Sequence, residues 1–121
     1  MTPAGEPIRV LLVEDSDVYR DSLVFLLGTR SDVVVVGAVP DGASALRACR
    51  AREPDVVILD YRLPDVDGAE VATEIDAAVV FLSASAGRDE YDAASSAGAA
   101  LVRKDEGIDA LVRAVRAAAG R

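Results

Sequence analysis

Five short apolar runs, the first three rich in β-branched residues, recur along the chain, and after each one the periodicity changes from that of a strand to that of a helix. The runs are IRVLLV (8–13), DVVVVGAV (32–39), DVVILD (55–60), VVFLSA (79–84) and the weaker AALVRK (99–104). Short, mainly apolar stretches of this length, without strict alternation, are what strands buried on both faces look like. Behind the first run, Tyr19, Leu23, Leu26 and Leu27 fall at i, i+4, i+7 and i+8, which predicts a helix with one inward stripe. Ile108, Leu111, Val112 and Val115 repeat that spacing near the C-terminus, and Ala-rich helical stretches are expected at about 42–52, 68–76 and 88–97.

A strand followed by a helix, five times over, implies parallel strands joined by right-handed crossovers, with helices on both faces of the sheet. The expected fold is therefore a single (βα)5 domain, a flavodoxin-like doubly wound sheet of strand order 2-1-3-4-5. We place the domain at residues 8–119, after a flexible arm at 1–7. The length, 121 residues, suits one domain, and 51% hydrophobic residues suffice for a core. With 4% aromatics, that core must be built from Val, Leu, Ile and Ala.

The composition also excludes chemistry. There is no histidine and a single cysteine, Cys49, so a His-based triad, the usual zinc ligands and an internal disulfide are all ruled out. Cys49 is expected on the inward side of its helix, as packing. A formal net charge of −8 argues against direct nucleic-acid binding by this chain. No stretch has the apolar length of a membrane span, and MTPAGEP has neither the basic start nor the apolar centre of a signal peptide, so a cytoplasmic protein with no membrane partner is expected.

In this fold the carboxyl ends of the strands share one edge, and the residues that fall there are informative. Strand one ends in Glu14 and Asp15, strand three in Asp60, strand four in Ser83 and strand five in Lys104. Each has an ordinary reading: Asp15 or Asp17 as a helix cap, Asp60 as an Asx turn, Ser83 as a partner for a loop amide, Lys104 as a solvated cation. Three carboxylates gathered at one edge repel one another, however, and a structural role does not require that cost. Hard oxygen ligands without histidine point to Mg²⁺ between them. Lys104 is the chain's one lysine among 13 basic residues, and an ammonium suits a phosphate or a carboxylate.

These residues, in the segments LLVED, DVVILDYRLPDVDG, VVFLSA and VRKDEG, resemble the receiver domain of two-component response regulators, over roughly Ile8 to Ala118. The style of VVVVGAVPDGASALRACRAREPDVVILD is similar to the NarL/FixJ group. The resemblance implies that Asp60 is phosphorylated by a sensor histidine kinase in a Mg²⁺-dependent reaction, and that Asp15, Asp60 and the backbone carbonyl of Arg62 bind the ion. Glu14 would hold a metal-bound water, while Ser83 and Lys104 would contact the phosphoryl group. Pro64 and Gly68 would shape the following loop, and Arg62 and Ser85 would tune the lifetime of the acyl phosphate. It also allows a homodimer on phosphorylation, and a transcriptional output through a domain or partner outside this chain.

The sequence departs from the receiver pattern in two places. Three residues before Lys104, where receivers commonly carry Tyr or Phe, stands Leu101, in a segment that looks one residue short. The stretch GAEVATEIDAAVVFLS leaves little room between the third helix and strand four, so that helix should be short or end abruptly. Two other functions fit the same fold less well. A phosphorylation-independent pseudo-receiver, an interaction module on the same fold, is disfavoured because Asp15, Asp60 and Lys104 are all present. An aspartyl phosphatase of the haloacid dehalogenase type would need an acid two residues after the nucleophile, where Arg62 stands.

Overall fold

The computed structural model describes residues 5–84 and 87–121. Among them, five strands form one parallel sheet of order β2-β1-β3-β4-β5, as the alternation requires: β1 (Ile8–Val13), β2 (Val33–Val39), β3 (Val56–Asp60), β4 (Ala78–Ser83) and β5 (Ala100–Arg103). The helices are α1 (Asp17–Gly28), α2 (Gly42–Arg52), α3 (Gly68–Ala72), α4 (Arg88–Ser96) and α5 (Ile108–Ala118), with a 3-10 turn at Lys104–Glu106.

Because side chains alternate along a strand, each strand feeds two separate cores. Ile8, Val10 and Leu12 of β1, Val56 and Ile58 of β3, Val80 and Leu82 of β4, and Val102 of β5 pack with Leu23 and Leu27 of α1 and with Leu111, Val112 and Val115 of α5. Leu11 and Val13, Val57 and Leu59, and Phe81 face the other way, against Ala45 of α2, Val71 of α3 and Ala94 of α4. Truncating a fully buried member such as Leu27 to Ala should cost about 2–5 kcal/mol. Leu26, expected on the inward stripe of α1, is 39% exposed, since the stripe narrows to Leu23 and Leu27 against the sheet.

Local chemistry sets the ends of these elements. Ser16, rather than Asp15 or Asp17, caps α1, its hydroxyl accepting from the Tyr19 amide at 3.3 Å. Asp41 caps α2 by accepting from the Ser44 amide at 2.8 Å. The third helix is short, as the compact sequence implied: α3 spans five residues and gives way at Thr73 to turns closed by bonds three residues back, such as Glu74 N–H to the Val71 carbonyl. Between β1 and β2 the register shifts after Val10, which pairs with Val35, to Leu11, which pairs with Gly37. A Cβ on Gly37 would lie 3.0 Å from Leu11 Cδ1, so the glycine makes room for the core residue where the ladder is out of step. Cys49 is half-buried on the edge of the second core, where burial pushes its thiol pKa up.

Candidate functional site

The inner strands β1 and β3, buried except for half-buried Arg9, run side by side, with Val13 opposite Leu59. That pairing brings the residue after β1 and the last residue of β3 to the same point of the sheet edge. Glu14, Asp15 and Asp60 each offer a carboxylate oxygen there, and the three oxygens lie within 4.8 Å of one another. Glu14 is fully buried, Asp60 retains 5% exposure and Asp15 is open to solvent.

Lys104, the first residue of the 3-10 turn after β5, reaches over this group. Its Nζ lies 2.6 Å from Glu14 Oε1 and 3.3 Å from Asp60 Oδ2. Burial works against the ammonium, but the contact with Glu14 and the charges of Asp60 and Glu14 outweigh it and hold its pKa above the ordinary lysine value. The Tyr19 ring lies beneath it, with Nζ 4.7 Å from the ring centroid. Burial raises the Tyr19 hydroxyl pKa; Lys104 pulls it down, and Glu14 and Asp60 push it up. One ammonium cannot balance three carboxylates. Glu14 Oε1, although ion-paired, has no aligned hydrogen-bond donor, and its partner Oε2 accepts from the Ser16 amide at 2.8 Å. A buried, under-satisfied carboxylate beside two more is the donor set of a hard divalent cation, and the residues present fit Mg²⁺.

Both carboxylate oxygens of Asp60 are engaged. Oδ1 accepts the Arg62 amide at 3.0 Å, an Asx turn, and Oδ2 accepts Lys104. The turn reading and the charged-site reading of Asp60 therefore hold together: the turn orients the side chain toward the site. A cavity of about 230 Å³ opens beside it, lined by Asp60, Arg62, Ser83, Ala84 and Lys104. Ser83, the last residue of β4, is buried, and its hydroxyl donates to Glu90 Oε2 at 2.6 Å. The Arg62 guanidinium is exposed and lies 3.5 Å from Glu90 Oε1. Ser85 lies outside the described residues.

The loop that carries Asp60 is fixed from two sides. Gly68, at the start of α3, donates to the Tyr61 carbonyl at 2.7 Å, and a Cβ on it would come within 2.5 Å of the Asp60 carbonyl oxygen. Glycine is required here for close approach of two backbones. Asp65 reaches across to the amides of Gly42 and Ala43 at the start of α2, at 2.9 and 3.1 Å. Those bonds hold its carboxyl below the usual range. Leu101 of β5 pairs with Phe81 and packs half-buried on the second core.

Comparison with known proteins identifies the family. The response regulator receiver domain matches residues 10–116, almost the whole chain. The chain belongs to the response regulator receiver family. This receiver is 37% identical over 122 residues to the Probable transcriptional regulatory protein NarL of Mycobacterium tuberculosis, covering 93% of the receiver and 55% of that protein. It is 35% identical to the transcriptional regulatory protein PdtaR of the same species, covering 98% of the receiver and 60% of PdtaR. The receiver thus spans a little over half the length of these relatives. Among solved structures, the signal receiver domain of M. tuberculosis NarL superimposes with a TM-score of 0.86 at 36% identity, over 96% of the receiver and 99% of that domain. The response regulator domain of Thermotoga maritima CheB matches with a TM-score of 0.84 at 27% identity, over 95% and 98% of the two chains.

The six residues picked out in the sequence, Glu14, Asp15, Asp60, Arg62, Ser83 and Lys104, all lie at one edge of the sheet. Three participants had no such signal. Tyr19 read only as a core position, Asp65 as a loop acid, and Glu90 as one of several acids in an Ala-rich helix. No helix among the described residues is long and apolar enough to cross a membrane.

Proposed function

We propose that the receiver accepts a phosphoryl group on Asp60 from the phosphohistidine of a sensor histidine kinase, with Mg²⁺ bound, and relays the change at its surface to an output. The observation that carries this reading is Asp60 itself, a nearly buried carboxylate pinned by the Arg62 amide and by Lys104 at the mouth of a cavity that a phosphoryl group could enter. A bond forms between an Asp60 carboxylate oxygen and phosphorus while the phosphorus–nitrogen bond of the donor breaks, its electron pair returning to the imidazole.

Asp15, Asp60 and the Arg62 carbonyl would hold the ion directly, and Glu14 through water. When bound, Mg²⁺ supplies positive charge that offsets the carboxylates and the phosphoryl oxygens. Lys104 is placed to exchange its contact with Asp60 for one with the incoming phosphoryl oxygens, as a point charge. Ser83 lines the same cavity and can donate to a phosphoryl oxygen, and exposed Ala84 beside it leaves the bond open to water. Names of relatives such as NarL and PdtaR support a transcriptional output through a domain or partner outside this chain.

The test is intact mass after incubation with Mg²⁺ and acetyl phosphate. Wild type should gain one phosphoryl group and Asp60→Asn none. A wild type that gains nothing would replace this reading with a phosphorylation-independent interaction module.

A further inference from the structure

Glu90 contacts two residues of the cavity wall and has no part in the chemistry above. It stands in the first turn of α4 with its side chain 13% exposed, its Oε2 accepting the Ser83 hydroxyl at 2.6 Å and its Oε1 3.5 Å from the Arg62 guanidinium. Both partners line the cavity beside Asp60. A carboxylate from α4 therefore already takes the hydroxyl that a phosphoryl group on Asp60 would use.

The two uses exclude each other. A serine hydroxyl has one proton to donate, so Ser83 cannot donate to Glu90 and to a phosphoryl oxygen at once. A phosphoryl group also brings roughly 1.5 to 2 negative charges into a cavity whose wall already presents the Glu90 carboxylate through Ser83. An acid in the first turn of a helix is commonly there for the helix dipole, and exposed Asp89 on the same turn serves that purpose. A dipole role does not call for a largely buried side chain turned back onto the end of β4.

We propose that Glu90 is a positioning residue, a latch that holds Ser83 toward α4 while Asp60 is unphosphorylated and lets go when the phosphoryl group arrives. The first turn of α4 then reads the state of the site directly, through Ser83, with Arg62 released by the same event. The device uses no aromatic on β5, where the corresponding position is Leu101. This inference rests on Asp60 being the acceptor.

The test is a double-mutant cycle on the full chain with Mg²⁺ and fluoroberyllate, a non-covalent phosphoryl mimic, read by calorimetry. Glu90→Ala should bind the mimic at least about tenfold more tightly than wild type, the scale of one charge-assisted hydrogen bond no longer broken. Glu90→Gln, which keeps shape and an acceptor but not the charge, should fall between and guards against misfolding of the alanine variant. In a Ser83→Ala background the gain from Glu90→Ala should vanish, which a purely structural role would not produce. Equal or weaker binding by both Glu90 variants, or the same gain without Ser83, overturns the latch while acetyl phosphate still labels Asp60. If wild type neither binds fluoroberyllate nor is labelled on Asp60, the acceptor reading falls and the latch falls with it.

Discussion

The Lys104 ammonium lies 2.6 Å from Glu14 Oε1, and it is the charged side chain that reaches this fully buried carboxylate. Removing it with Lys104→Met leaves Glu14 buried beside Asp60 and Asp15 without that counter-charge. A broken buried pair costs about 3–5 kcal/mol; because Lys104 keeps 22% exposure, we expect about 2 kcal/mol here. The variant should also regain stability in Mg²⁺ more steeply than wild type does, since the ion takes over the lost charge. Thermal denaturation of both proteins across a Mg²⁺ titration checks this, and parallel curves would argue against a shared role for ion and lysine.

Asp15 is the exposed member of the acidic group and packs against no core, so its removal should affect the cation far more than the fold. Asp15→Ala should weaken Mg²⁺ binding by at least about tenfold, in line with losses seen for groups that support a metal, while the melting temperature without metal stays the same or rises as repulsion eases. Calorimetric titration with Mg²⁺ reads the first quantity and a thermal melt in chelator the second.

Gly68→Ala places a methyl group 2.5 Å from the Asp60 carbonyl oxygen, where only backbone can yield. A cost of about 1–3 kcal/mol is expected from overpacking, together with slower labelling of Asp60. Gly28→Ala, at the end of α1 with nothing within 4 Å of the added carbon, is the control and should be neutral or stabilising. Urea midpoints for the two variants separate steric crowding from a general intolerance of glycine replacement.

Asp65 offers a pH signature. Its pKa is held below 3.8, by the Gly42 amide first and the Ala43 amide after it. A carboxyl depressed in the folded state stabilises above its unfolded value and loses that contribution as pH falls through the folded value. Asp65→Asn should therefore melt below wild type at neutral pH, with the gap closing only at pH values under about 3.8. A gap that persists at strongly acid pH would mean that the amide bonds survive without the charge.

The fold was legible because β-branched runs and helical spacing both recur on the (βα)5 schedule, and the brevity of α3 was legible from the few residues available to it. The inward stripe of α1 was read one residue too wide: Leu26 fits the period, but the sheet surface admits Leu23 and Leu27 and leaves its edge in solvent. Site residues at strand ends were visible because strand order dictates where those ends meet. Glu90 and Asp65 were not, since each acts across a gap in sequence that only packing closes: seven residues from Glu90 to Ser83, and 23 from Asp65 to Gly42. An acid on an Ala-rich helix or in a loop carries no mark of which neighbour it will find. Ser16 was passed over as a cap because two acids flank it and invite the same role.

The division of the interior into two cores has a genetic consequence. Leu27 and Leu59 belong to separate cores, so substitutions at the two should add, whereas pairs in contact within one face should not. The sheet behaves as a partition between two halves that can vary with little reference to each other. Asp60 is an exception: its side chain meets Lys104 above Tyr19 of α1, and its carbonyl meets the first residue of α3. Drift on either face is therefore felt at that one carboxylate.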